Sequence, residues 1–197
     1  MALYMTKLIW LSDPHFVASG TVQGHDPRVR LQAAIDFINA HHSDATACVI
    51  SGDLANHGTA EGYVALSNQL NTLSLPVLPM AGNHDDRALL RDHLALPDSA
   101  MPDFIQYAQN LPNSRILCLD THKLGAHSGQ FCAARAAWLT DQLTQQPETP
   151  TYLFMHHPPA SLGLPMQDQD RMENGDAFLD LIAQHANVKH LFLGHVH

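Results

Sequence analysis

The chain has 197 residues and carries 10 Lys and Arg against 19 Asp and Glu, a formal net charge of −9. That balance excludes a nucleic acid polymer as partner, because phosphate-backbone binding needs clustered cations; a small phosphate ester stays open, since bound divalent cations would dominate the local field. The length suits one domain, no apolar run approaches the ~20 residues of a membrane span, and no basic n-region precedes a long apolar stretch, so a cytoplasmic protein is expected.

In chain order, Lys7–Leu11 reads as a buried strand. Arg28–Ala40 places Leu31, Ala34, Ile35 and Ile38 at helical spacing. Ala45–Ile50 is a second strand, Ala60–Leu70 a helix with Tyr63, Leu66 and Leu70 on one side, and Pro76–Met80 a third strand. Arg87–Leu94 reads as a short helix, with Asp85 and Asp86 as its N-terminal caps. Phe104–Ala108 and Ile116–Leu119 read as strands around the Pro112-Asn113 turn. Ala133–Gln145 is a helix, Thr151–Met155 a strand, Gly175–His185 a helix and His190–Leu193 a final strand. This alternation predicts α/β units and a largely parallel sheet. The segment Pro158–Asn174 is long enough to suspect a function. Cys48, Cys118 and Cys132 form no CxxC pair, so neither a thiolate zinc site nor a disulfide framework is suggested.

Fifteen histidines direct attention to metal or acid–base chemistry. Five segments follow an apolar strand and end in residues able to hold a metal: Asp13-Pro14-His15, Gly52-Asp53, Gly82-Asn83-His84-Asp85, His156-His157-Pro158-Pro159 and Gly194-His195-Val196-His197. Ligands of open α/β sheets gather outside the carboxyl ends of the strands, so these segments are expected to converge. In Asp13-x-His15 and His195-x-His197, extended backbone would point both residues to one side. The same period turns His157 away from the site, into a structural or supporting role. Imidazole, carboxylate and amide without thiolate suit Zn, Fe, Mn or Co. Seven ligands (Asp13, His15, Asp53, Asn83, His156, His195 and His197) exceed one tetrahedral ion and suit two, with Asp53 as the natural bridge. His25, Asn56 and His57 lie in loops beside the first two motifs and are candidates to face substrate.

These motifs, in this order, resemble the calcineurin-like metallophosphoesterase superfamily. The likeness runs from Lys7 to His197 and, through Phe154–Pro159 and Glu173-Asn174-Gly175, is nearest its bacterial glycerophosphodiesterase and class III cyclic-nucleotide phosphodiesterase branch. The resemblance implies a helix–sheet–sheet–helix (αββα) sandwich and two divalent or trivalent metal ions. Asp13, His15, Asp53 and His197 would hold the first ion, and Asp53, Asn83, His156 and His195 the second, with His84 a non-ligand catalyst beside the phosphate. The implied reaction is hydrolysis of small phosphodiesters, such as glycerophosphodiesters, by a metal-bound hydroxide. A 3′,5′-cyclic-nucleotide phosphodiesterase is the alternative enzyme, and a non-catalytic scaffold of the same fold the alternative of another class. Related chains continue beyond the position of His197, so a catalytic domain over 1–197 truncated at its C-terminal end is expected. Homo-oligomerisation would then run through the absent part.

Overall fold

A computed structural model describes residues 6–99 and 101–197. Strands β1 (Leu8–Leu11), β2 (Ala47–Ile50) and β3 (Val77–Pro79) form a parallel sheet in the order β1-β2-β3. Strands β4 (Tyr107–Leu111), β5 (Ser114–Leu119), β6 (Thr151–Met155) and β7 (Val188–Leu193) form a second sheet in the order β4-β5-β6-β7. Only the β4–β5 pair is antiparallel, closed by Pro112-Asn113. Helices are α1 (Pro27–His41), α2 (Ala60–Leu70), α3 (Arg87–His93), α4 (Ala133–Gln145) and α5 (Gly175–Ala183).

The layering follows from strand alternation. Ile116 and Cys118 of β5 join one core with the first sheet and with Leu31, Ile35 and Ile38 of α1 and Tyr63 and Leu66 of α2. Leu117 and Leu119, on the opposite face of the same strand, pack with Leu139 and Leu143 of α4 and Phe178 of α5. All six residues of β5 are buried, as a strand covered on both faces requires. The result is helices, two sheets and helices, the expected αββα architecture, with the sheet divided in two rather than continuous. Cys48 and Cys118 are buried free thiols in the first of these cores. No helix among the described residues is long and apolar enough to cross a membrane.

Two local expectations are corrected. The strand expected at Phe104–Ala108 begins at Tyr107 and runs to Leu111. Phe104 instead lies beneath the guanidinium groups of Arg87 and Arg135, at 5.3 and 4.7 Å, and Ile105 N–H donates to Asp120 Oδ2 at 2.8 Å. The apolar run is thus used against a charged cluster and not in the ladder. At α3, Asp86 alone is the cap, accepting from Ala88 and Leu89 N–H at 2.9 Å. Asp85 turns inward and is buried.

Candidate metal centre

The five motifs meet on one rim of the sandwich because backbone bonds continue past the strand ends. Asp13 N–H donates to Gly52 O at 3.2 Å and His15 N–H to Asp53 O at 2.9 Å, so the first two motifs run side by side. His84 N–H donates to Asp53 Oδ1 at 2.9 Å, and His195 N–H to the Asp13 carboxylate at 3.1 Å. His156 Nδ1 donates to Ser51 O at 2.8 Å, which links the two sheets at the site.

Strand periodicity does not set the ligand directions. Asp13, His15, Asp53 and His195 have φ of 53°, 43°, 49° and 72°. Four of the seven candidate ligands therefore sit in the left-handed region that non-glycine residues seldom adopt. Such strain concentrates at functional sites, held by the surrounding structure. The expected i, i+2 alignment in extended backbone is replaced by sharp exits from the strands, each fastened by the bonds above.

Glycine is required where these exits touch. A Cβ at Gly82 would collide with the Asp53 carboxylate and backbone. One at Gly52, where φ is 97°, would lie 2.5 Å from His156 Nδ1. Asp85 makes the remaining tie. Its oxygens accept from Leu54 N–H at 3.0 Å, Ala55 N–H at 3.0 Å, Gly82 N–H at 2.9 Å and Tyr63 O–H at 2.7 Å. Burial pushes this carboxyl up to about 6 against those four donors. Asp85 therefore clasps the loop after Asp53 to the loop before Asn83 and does not touch the His84 ring, whose Nδ1 donates to Asn56 O at 2.9 Å.

The side chains form two adjoining groups that share Asp53. Its Oδ2 faces His15 Nε2 at 3.6 Å, while Oδ1 faces His156 Nε2 at 3.4 Å. On the first side, His15 Nε2 lies 3.0 Å from His197 Nε2, which is 3.5 Å from Asp13 Oδ1. On the second, His156 Nε2 lies 3.2 Å from Asn83 Oδ1. The His195 ring packs against those of His156 and His157, with centroids 5.1 and 4.8 Å away.

This donor set fits cations. With Nδ1 of His156 spent on Ser51, its Nε2 lone pair confronts the oxygens of Asn83 and Asp53. Buried acceptors gathered this way need a positive partner. A proton can serve: although burial opposes the charge, Asp53, Asp13 and Ser51 O lift His156 to about 9. Burial likewise opposes ionisation of Asp53, yet His156 and the His84 N–H hold its carboxyl well below the usual carboxylate range. Burial lowers His15 and His195, which favours the neutral, ligating imidazole.

His157 also lies within ligand distance of His156 and His195. Both its ring nitrogens are engaged, Nδ1 by the Thr121 hydroxyl at 2.8 Å and Nε2 by His127 O at 3.0 Å. Burial and neighbouring His156 keep it neutral, far below its ordinary value. It supports the site without facing it. His84 stands edge-on to His15, centroids 4.8 Å apart. Of the residues expected to face substrate, His25 lines a cavity with Asp13, His15 and His197. Asn56 offers its carbonyl to His84 and its side-chain amide to the exposed ring of His57.

His127 was not legible beforehand. Its Nδ1 is 3.4 Å from Asn83 Nδ2 and its ring 6.2 Å from His84, but it sits in an irregular loop with no telling spacing.

Comparison with known proteins places the chain. The model of the calcineurin-like phosphoesterases matches residues 6–197. A protein of Rhodopseudomonas palustris named "probable cyclic nucleotide phosphodiesterase" is 39% identical over 97% of this chain and 71% of its own. A glycerophosphodiester phosphodiesterase of Enterobacter lignolyticus is 33% identical over 96% and 70%. A 3′,5′-cyclic adenosine monophosphate phosphodiesterase of Escherichia coli is 26% identical over 97% and 69%. The chain belongs to the calcineurin-like phosphoesterase family.

Proposed function

We propose that this chain is a dinuclear-metal-dependent hydrolase of small phosphodiesters, glycerophosphodiester-like in class. The observation that carries the reading is Asp53, whose two oxygens face two adjoining groups of nitrogen and oxygen donors. Asp13, His15, Asp53 and His197 would hold one cation, and Asp53, Asn83, His156 and His195 the other. Fe, Mn, Zn or Co suit this thiolate-free set. When bound, such ions supply positive charge to the phosphate oxygens and lower the pKa of an attacking water.

The protein's own part is orientation and proton handling. Ser51 O fixes the His156 ring so that Nε2 points into the cage. Asn56 O accepts a hydrogen bond from His84 Nδ1–H, which leaves Nε2 free of that backbone support. From Nε2, His84 would give a proton to the departing alkoxide. His25 lines the cavity of His15 and His197, Asn56 adjoins His84 and His57 adjoins Asn56, and these three would contact the alcohol arms.

A cyclic-nucleotide reading is favoured by the names of the 39% and 26% identical relatives. Parallel turnover of glycerophosphoethanolamine and cyclic AMP separates the two. The class itself is tested by metal analysis with hydrolysis of bis(p-nitrophenyl) phosphate. Two equivalents of metal with diester turnover are expected, and both should vanish in Asp53→Asn. Stoichiometric metal without any turnover would sink the enzyme reading in favour of a scaffold.

A further inference from the structure

Two arginines near the start of α1 are put to different uses. Arg28 is fully committed: it binds the Asp26 carboxylate through Nε at 2.8 Å and Nη2 at 2.6 Å, Ala18 O at 2.9 Å and Gly20 O at 3.2 Å. It ties the loop before α1 to the helix. Arg30, two positions on, engages the fold through its backbone N–H, on Asp26 O at 3.2 Å. Among the described residues its guanidinium has neither ion pair nor hydrogen bond. It borders a cavity of about 100 Å³ whose other walls include Asp13, His15 and His197 of the metal centre and Gln23 and His25.

The backbone of that second wall is closed on itself. Val22 N–H donates to His25 O at 2.8 Å and His25 N–H to Val22 O at 3.0 Å. Gln23 and Gly24 between them have φ of 50° and 80°, the pattern of a two-residue hairpin turn. The backbone that carries the exposed side chains of Gln23 and His25 is thus set before any ligand arrives. A planar guanidinium, an amide and an imidazole around a small cavity are donors suited to an oxyanion. One guanidinium offsets one negative charge. Set against this one guanidinium, a singly charged carboxylate is matched where a phosphate dianion would leave excess charge.

We propose that Arg30, with Gln23 and His25, forms a carboxylate subsite next to the metal centre, so that the preferred substrates are phosphodiesters with a carboxylate on one alcohol arm. The inference rests on the phosphodiester reading above, because the cavity is continuous with His15 and His197 and its occupant lies within reach of the scissile group.

A matched pair of diesters tests it: bis(4-carboxyphenyl) phosphate and bis(4-nitrophenyl) phosphate, with manganese-loaded wild type, Arg30→Met and Arg30→Lys. Loss of a charge-assisted contact should raise KM for the carboxylate diester about tenfold in Arg30→Met, with kcat kept. The nitro diester should change less than twofold, and Arg30→Lys should recover part of the loss. Calorimetry of 4-carboxyphenyl phosphate against phenyl phosphate reads binding without turnover. If wild type cleaves neither diester yet prefers the carboxylate ligand only while Arg30 is present, the subsite stands and the hydrolysis reading falls. Equal effects on both diesters, no effect on either, or no binding preference in wild type overturns the subsite.

Discussion

His84 shows how much a single residue's role depends on what surrounds it. Its backbone N–H is bound to Asp53 and its Nδ1 to Asn56 O, while its ring also lies within ligand distance of His15 and Asp53, so whether it acts as acid or as ligand is a question for metal analysis. In His84→Ala, metal content should stay at the wild-type value while kcat falls by roughly 10²–10⁴, the usual range for general acid–base help. Metal analysis beside steady-state kinetics checks this, and parallel loss of metal would make His84 a ligand. Gly82→Ala has the opposite signature. The added methyl meets the Asp53 carboxylate, so metal occupancy and turnover should fall together although no donor has been removed. The candidate ligands were legible because rare residue types recur at strand ends in a fixed order. The true work of Asp85 was not, because it depends on Leu54, Ala55 and Tyr63, each more than twenty residues away. Arg30 was hidden for the same reason: only the folded loop before α1 brings it to the cavity of His15.

At the scale of elements, the strands were readable from apolar runs, and β1, β2, β3, β6 and β7 lie where the pattern puts them. The β4 start was not, since Phe104-Ile105 is as apolar as a strand but packs on charges. The buried cluster there joins three elements. Asp120, just past β5, receives Arg87 Nε at 2.6 Å and Nη2 at 2.7 Å from α3, and Arg135 Nη1 at 3.3 Å from α4. Ile105 and His122 N–H complete its bonding. Asp120 is fully buried and the Arg135 side chain only 3% exposed, so removing the carboxylate strands positive charge in the core. Asp120→Ala should therefore lose about 3–5 kcal/mol of stability. The midpoint of urea unfolding measures it, and a change under 1 kcal/mol would mean the pairs contribute little. This network also anchors α3 directly behind Asn83 and His84, so its loss should reach the site through position rather than through chemistry.

For the whole molecule, the site adds a polar tie at the rim to two sheets that already share one buried core. The two sheets meet at the rim through Ser51 O and His156, and the last motif is held to the first by the Asp13 carboxylate on His195 N–H. Without cations, Asp13 and Asp53 crowd one rim with the imidazoles of His15, His84, His156, His195 and His197. A ligand that binds only the folded state stabilises it by RT ln(1 + [L]/Kd). Cations at a hundredfold excess over Kd should therefore add about 2.7 kcal/mol per site. For a domain of this size each kcal/mol moves Tm by roughly 2–4 °C, so one occupied site raises Tm by about 5–10 °C and a second adds to it. Thermal unfolding in a chelator and then with added manganese reads the shift. Asp53→Asn should flatten it, because the shared carboxylate serves both groups, whereas His84→Ala should keep it. A shift that survives in Asp53→Asn would show that the cations stabilise the fold elsewhere, and that the rim is not where sheet joins sheet through metal.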